Sequence, residues 1–226
     1  EGAPRADVPS GALVDYIYRP DPNYEYIVMD VVPQDGFTTY FLNMTSQQWF
    51  DENLSDRPIW WHWVTIHIPD NPTYPDAAYM YTGGSSNTGG PPNVNTREVV
   101  KTADMTQQWG FVTVYLQLVP NQPIVFLDES GPLNNSIERT EDGIIAWTWA
   151  RYMDLEQEGA TDPSVPELIL QFPMCKALVQ AMNTVQTFVE EQTGAEIERF
   201  EIAGESKRGW VTWLVRAIDA RLAALV

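Results

Sequence analysis

The sequence predicts an α/β protein, a three-layer sandwich with helices on both faces of a mostly parallel central sheet that begins with antiparallel strands. Three observations lead to this class. Four β-prone segments come first, with no helical segment between them. Helical and β-prone segments then alternate, as parallel strands joined by helical crossovers require. Residues 111–119 are almost continuously apolar, which is typical of a strand covered on both faces.

The first part of the chain predicts an arm followed by antiparallel strands. Residues 1–23 contain four prolines and little periodicity, so an extended N-terminal arm is expected there. The turn signal Pro33-Gln34-Asp35-Gly36 joins the first two strands in a hairpin. The four strands are predicted at residues 24–32, 37–44, 59–68 and 77–82.

The rest of the chain predicts alternating helices and strands after a glycine-rich loop at residues 83–92. Helices are predicted at 96–109, 137–156, 177–192 and from about 207, and strands at 111–119, 197–203 and 222–226. This order, taken over residues 24–226, corresponds to the first two thirds of an α/β-hydrolase-like domain. The domain is therefore expected to be incomplete at its C-terminal end.

Residues 197–210, with the sequence IERFEIAGESKRGW, predict a strand, a serine in a turn and a helix. In α/β-hydrolases such a sharp turn carries the nucleophilic serine between small residues. Gly204 lies two residues before Ser206, but Arg208 stands where a second glycine is usual, and Gly209 follows it. The pattern predicts Ser206 as a catalytic nucleophile. The alternative is that Ser206 only caps the following helix, a position that serine favours.

Backbone amides are the expected oxyanion donors in such a site. The glycine-rich loop follows the fourth strand, so the N–H groups of Gly84 and Ser85 are predicted to act with that of Lys207. No general base is evident, because His62 and His67 lie five residues apart in one strand, on opposite faces, and are interpreted as structural. We expect no metal and no cofactor, and we expect this chain by itself to be inactive.

Two cations begin the predicted helix after Ser206. Lys207 and Arg208 lie at the positive end of the helix dipole, where each exposed cation costs about 0.3–1 kcal/mol. An offsetting negative charge is expected from Glu201, from Glu205 or from an anionic ligand. Arg208 is therefore a candidate substrate contact, favouring a substrate with a carboxylate by analogy with glucuronoyl esterases.

Composition excludes some classes of partner. With 13 basic and 31 acidic residues, the net charge of −18 disfavours binding to nucleic acids and to anionic membranes. No run of about 18 apolar residues predicts a membrane span.

Several features point to a secreted protein. The chain begins at Glu1 without an initiator methionine, as a mature secreted protein or a shortened chain would. Asn43, Asn53 and Asn134 each begin a glycosylation sequon. Cys175 is the single cysteine, so it either pairs with a partner elsewhere or is a small buried residue. A secreted glycoprotein is expected.

Several ordered motifs are similar to the PhoPQ-activated pathogenicity-related family. They are Thr82-Gly83-Gly84, VPNQP at 119–123, RTED at 139–142, Ile144-Ile145-Ala146, GESKRGW at 204–210 and Thr212-Trp213-Leu214. The resemblance implies an α/β-hydrolase-like fold with Ser206 at the nucleophile position, and it implies no particular substrate. Members of the family continue through the strands that carry the acid and the histidine. A C-terminal remainder, a companion chain or a larger assembly is therefore expected to complete the fold.

Three functional hypotheses follow. The first is a secreted serine hydrolase of esters or amides. The second is a non-catalytic secreted signalling or structural glycoprotein on the same fold. The third is a carbohydrate-binding surface built on Trp61 and Trp63, although core packing is the preferred explanation for these aromatic residues.

Overall fold

Seven strands of the computed structural model form one sheet, and the structure describes residues 2, 4–8, 10–127 and 137–226. The strands are β1 (Glu25–Gln34), β2 (Phe37–Gln48), β3 (Ile59–Pro69), β4 (Ala77–Thr82), β5 (Val112–Leu116), β6 (Arg199–Gly204) and β7 (Leu222–Leu225). The helices are α1 (Ala12–Tyr18), α2 (Arg97–Trp109), α3 (Asp142–Gln157), α4 (Gln171–Thr193) and α5 (Lys207–Ile218), with a 3₁₀ turn at Val165–Leu168.

The strands lie in the order β1-β2-β3-β5-β4-β6-β7. The pairs β1–β2, β2–β3 and β3–β5 are antiparallel, and β5–β4, β4–β6 and β6–β7 are parallel. The predicted α/β class with an antiparallel start is confirmed. The sheet is evenly divided rather than mostly parallel, because β5 enters beside β3 and runs opposite to it. The ends of β4 and β6 become neighbours, with Thr82 paired to Gly204.

Helices cover both faces of the sheet. On one face, α4 packs against β2 and β3 and is flanked by α1 and α5. On the other face, α2 packs against β5, β3 and β2. Leu178, Met182 and Val185 recur at helical spacing on α4 and are fully buried, so this helix forms the centre of the core. Burying each such side chain contributes about 1.5–3 kcal/mol, which makes α4 the main support of the sheet.

Several predicted boundaries are wrong. Helix α3 begins at Asp142 rather than at residue 137, β5 covers Val112–Leu116 rather than residues 111–119, and β2 continues to Gln48 rather than ending at residue 44. Residues 1–23 are not an extended arm throughout, because Ala12–Tyr18 form α1, where Tyr16 is buried and donates a 2.6 Å hydrogen bond to Gln47 Oε1. A seven-residue helix is too short to show periodicity in sequence. Helix α4 begins six residues before the predicted Ala177. Pro173 lies in its first turn, where the missing N–H breaks no helical hydrogen bond.

Candidate active site

Ser206 lies in a strained turn between the end of β6 and the start of α5. Its backbone has φ 58° and ψ −122°, a region that non-glycine residues rarely occupy. Such a conformation costs about 1–3 kcal/mol and persists only where the surrounding structure imposes it. The side chain makes no capping hydrogen bond to α5, and the residue is exposed. The turn therefore presents the hydroxyl group to solvent instead of using it as a cap.

Two glycines permit the close approach of α5 to β6. A Cβ atom on Gly204 would lie 2.8 Å from the carbonyl carbon of Arg208 and 2.9 Å from its Cβ. A Cβ atom on Gly209 would lie 2.7 Å from the carbonyl oxygen of Gly204. The glycine pair therefore provides the contact between strand and helix. This contact explains why the second glycine is needed at position 209, while position 208 accepts an arginine.

We expect Gly204→Ala to destabilise the chain. The added methyl group would overlap the backbone of Arg208, and overpacking of this kind typically costs about 1–3 kcal/mol. Gly90→Ala is the matched control, because a Cβ atom there would meet nothing within 4 Å. Urea denaturation should show a lower midpoint for Gly204→Ala alone. Equal midpoints for the two variants would contradict this packing.

Substitutions at Ser206 separate the two interpretations of this residue by stability. Ser206→Gly should stabilise the chain by about 1 kcal/mol, because the relieved strain exceeds the about 0.4–1 kcal/mol entropic cost of a glycine. Ser206→Ala should change the free energy of unfolding by less than about 0.5 kcal/mol, since no cap bond is lost. A capping serine would instead lose about 1 kcal/mol on replacement by alanine, and urea denaturation measures the difference.

The predicted oxyanion loop lies beside this turn. Gly83 donates a 2.8 Å hydrogen bond to the carbonyl of Leu116 and accepts a 3.3 Å one from the amide of Val119, which hold the loop against the end of β5. Within the described residues, no acceptor pairs with the amides of Gly84, Ser85 or Lys207. The predicted donors thus follow the neighbouring strands β4 and β6, and their N–H groups are available to donate hydrogen bonds to a ligand. Their catalytic role stays a prediction.

A cluster of charged side chains surrounds the start of α5, and sequence reasoning missed it. Glu141 accepts hydrogen bonds from Lys207 Nζ, from Arg208 Nη2 at 2.5 Å and from Gln122 Nε2 at 2.7 Å. Asp142 lies 2.9 Å from Lys207 Nζ. The expected offset of the two cations therefore comes from Glu141 and Asp142, rather than from Glu201, Glu205 or an anionic ligand. The only signal in the sequence was the RTED motif.

Glu141 is charged in this cluster. Partial burial alone would raise the pKa of its carboxyl group, but the hydrogen bonds from Lys207, Arg208 and Gln122 outweigh burial and lower the pKa below its usual value. Two cations and two carboxylates then balance one another around the turn between β6 and α5 that carries Ser206, which we call the elbow. The cluster is neutral as a whole, so it does not by itself attract an anionic substrate.

Arg208 is held mainly by the protein. Its Nε donates to the carbonyl of Val119 at 2.6 Å, and its Nη2 pairs with Glu141. Among the described residues, Nη1 has no hydrogen-bond partner. The substrate contact predicted for Arg208 stays a prediction and would use Nη1.

Both histidines lie inside the sheet and have partners there. His62 contacts Ser46 Oγ at 2.9 Å and the carbonyl of Gln117 at 3.1 Å. His67 contacts Thr39 Oγ1 at 2.8 Å and Thr102 Oγ1 at 3.0 Å. Burial lowers the pKa of each to about 4, so both are neutral at pH 7. Their structural interpretation agrees with these contacts, and neither is free to serve as a base for Ser206.

The other predicted features have definite positions. Asn53 is exposed in a turn, Asn43 is half-buried in β2, and Asn134 lies outside the described residues. Cys175 is fully buried, and burial raises the pKa of its thiol group. All three glycosylation sites and any pairing of the cysteine stay predictions.

The described residues contain neither a metal-binding cluster nor a membrane-spanning helix. Across residues 10–127 and 137–226 and the described N-terminal positions, no group of three His, Cys, Asp or Glu side chains is arranged to hold a metal ion. Within the same ranges, no helix combines the length and the apolar character that a membrane span needs.

Trp61 and Trp63 are half-buried and pack edge to face at 5.2 Å.

The strand order and the elbow between β6 and α5 place this chain among proteins with an α/β-hydrolase-like fold. Acetyl xylan esterases from Thermoanaerobacterium and Paenibacillus share the fold, each with a TM-score of 0.50, at 16% and 14% identity. Each comparison covers 95% of this chain, and 54% and 55% of the respective esterase. A Bacteroides fragilis protein provisionally assigned as an acetyl xylan esterase matches with a TM-score of 0.53 at 11% identity, over 95% of this chain and 50% of that one.

The chain belongs to the PhoPQ-activated pathogenicity-related protein family, whose model matches residues 13–226. It is 35% identical over 221 residues to autocrine proliferation repressor protein A of Dictyostelium discoideum. That similarity covers 98% of this chain and 41% of the relative. The chain therefore spans less than half the length of the curated relative it matches.

Proposed function

We propose that this chain is part of a secreted serine hydrolase that cleaves esters or amides, with Ser206 as the nucleophile. The observation that carries the proposal is the positive-φ conformation of Ser206 between β6 and α5, which approach each other closely at Gly204 and Gly209. A strained, exposed serine without a capping bond is what nucleophilic attack requires and what a purely structural turn has no need of. The esterase-like fold supports the same reaction class.

In the proposed reaction, Ser206 Oγ attacks the carbonyl carbon of the substrate and loses its proton to a histidine. The negative charge that develops on the carbonyl oxygen is stabilised by the amides of Gly84, Ser85 and Lys207. The resulting tetrahedral intermediate expels the alcohol or amine, which receives the proton. Water then cleaves the acyl-enzyme and releases the acid.

We propose that further polypeptide supplies the histidine and its acid partner, either as a C-terminal remainder or as a companion chain. Both histidines of this chain are occupied in the sheet, and the relative is more than twice as long. On the face of the sheet that carries α2, a groove of about 330 Å³ crosses β4, β6 and β7. Its lining includes the apolar or aromatic Tyr79, Phe111 and Ala224 and the charged Arg199 and Glu201, so the surface is mainly apolar and suited to another packed element.

The second candidate is a non-catalytic secreted signalling or structural glycoprotein. The observation in its favour is the similarity to autocrine proliferation repressor protein A. Secretion and glycosylation are common to both candidates, and of the two sequon asparagines that the structure describes, Asn53 is more exposed than Asn43. Only the chemistry of Ser206 separates them.

Reaction with a fluorophosphonate probe tests the proposal. The full-length protein should form a covalent adduct, the Ser206→Ala variant should form none, and the isolated chain of residues 1–226 should react far more slowly, because it lacks the base. Absence of any adduct in folded, full-length protein would favour the non-catalytic candidate.

A further inference from the structure

The charged cluster at the elbow joins segments that are far apart in sequence. Gln122, in the loop after β5, donates to the carbonyl of Ser85 at 3.3 Å and to Glu141 Oε1 at 2.7 Å. Glu141, at the start of α3, accepts in turn from Lys207 and Arg208 on α5. A continuous chain of hydrogen bonds therefore connects the predicted oxyanion loop with the turn of Ser206.

The pair formed by Arg208 and Glu141 lies directly on Gly84. A Cβ atom at Gly84 would overlap Nη2 of Arg208, and it would lie 2.9 Å from Cζ of Arg208 and 3.2 Å from Oε1 of Glu141. Glycine at this position lets the ion pair contact the backbone of the loop. The ion pair therefore limits how closely this loop approaches α5.

Glu141 has an unusual backbone conformation of its own. Its φ of 47° and ψ of −121° nearly equal those of Ser206. Its amide donates to Gln122 Oε1 at 2.7 Å, while its side chain accepts from Gln122 Nε2. These reciprocal bonds hold the residue in an unfavourable region, as is typical of functional sites.

Glu141 and Asp142 differ in their relation to the loop. The side chain of Asp142 is 85% exposed and, among the described residues, pairs only with Lys207, whose own side chain is 6% exposed. Glu141 contacts Lys207, Arg208 and Gln122 together and lies against Gly84. Either carboxylate can balance the charge of Lys207. Only Glu141 also connects the glycine-rich loop to the elbow, through Gln122 and Arg208.

We infer that Glu141 is a positioning residue, whose carboxylate sets the place of the Gly84 and Ser85 amides relative to Ser206. The inference rests on the proposed hydrolase function and deepens it. Glu141 does not touch the reacting atoms. It acts through Arg208 and Gln122, and it determines how well the two sets of oxyanion donors converge on one oxygen.

Fluorophosphonate kinetics on the full-length protein test this inference. Glu141→Gln keeps the shape of the side chain but loses the charge that holds Arg208. We expect the rate constant of adduct formation to fall about 100-fold, as small misplacements of a catalytic group do, with the affinity for the probe unchanged. Asp142→Asn is the matched control and should react at the parental rate. A merely structural role would lower the thermal midpoint without this selective loss of rate.

Gln122→Met is a second variant, for the case in which Glu141→Gln does not fold. It removes the link to Ser85, leaves the charges at the elbow, and should show the same selective loss of rate. A parent protein that reacts, with Glu141→Gln or Gln122→Met equally reactive, would overturn the positioning role alone. A folded parent that forms no adduct would overturn the proposed function and this inference together.

Discussion

Replacement of Ser206 by alanine in the full-length protein is expected to reduce the rate of ester cleavage by a factor of about 10⁴ or more. Loss of the nucleophile in serine hydrolases costs up to about 10⁶ in kcat, since only binding and oxyanion stabilisation remain. The fold should be unaffected, because the Ser206 side chain makes no capping bond to α5 and is exposed. Steady-state hydrolysis of aryl acetates, with circular dichroism of each variant, measures both effects.

The control for this substitution is Ser164→Ala. Ser164 is also an exposed serine at a helical start, but its hydroxyl group is bonded to Asp162 Oδ1 at 2.8 Å. Its replacement should leave the rate of hydrolysis unchanged. A full-length Ser206→Ala variant with undiminished hydrolysis would show that another residue carries the reaction, and the assignment of Ser206 would be wrong.

Acid should destabilise the chain through its two buried histidines. Burial holds the pKa of His62 and of His67 at about 4 in the folded state, against about 6.5 in the unfolded state. The unfolded state binds more protons between these values, so this stability is fully present above pH 6.5 and is lost as the pH falls towards 4. Each histidine contributes about 3 kcal/mol over the window, or about 1.4 kcal/mol per pH unit.

His67→Gln tests this prediction, because glutamine does not titrate and offers both a donor and an acceptor to Thr39 and Thr102. Urea denaturation at several pH values should show a slope between pH 4.5 and 6.5 that is lower by about 1.4 kcal/mol per pH unit in the variant. Above pH 7 the two proteins should show parallel curves. An unchanged slope at acid pH would mean that His67 is already protonated in the folded protein.

Periodicity and turn chemistry are sufficient to predict most of the fold. The strand β4 was predicted with its observed limits, since Thr82 is followed at once by two glycines. The sequence also predicts a helix over most of α4, and Gly204 and Ser206 predict the turn between β6 and α5. These signals are local, because each depends on neighbours within a few residues. Such local signals can be recognised in one sequence without knowledge of its three-dimensional contacts.

The parts that sequence could not predict depend on contacts between distant residues. Glu141 and Lys207 are 66 positions apart, and no local pattern relates them. The antiparallel pairing of β3 with β5 arises because β4, the next strand in sequence, does not pair with β3, and β5 lies between them. Gly209 replaces the usual second glycine because of where α5 contacts Gly204, which only the packing reveals. The site was therefore predictable as a turn and a loop, but the cluster that joins them was not.

Mass mapping of the fluorophosphonate adduct tests the central claim most directly. Cleavage after Arg199 and Lys207 releases residues 200–207, the peptide that contains Ser206. In the full-length, folded protein this peptide should carry the added phosphonate, with fragment ions that assign it to Ser206. An unmodified peptide, or an adduct on any other residue, would contradict the proposal that the elbow serine is the nucleophile.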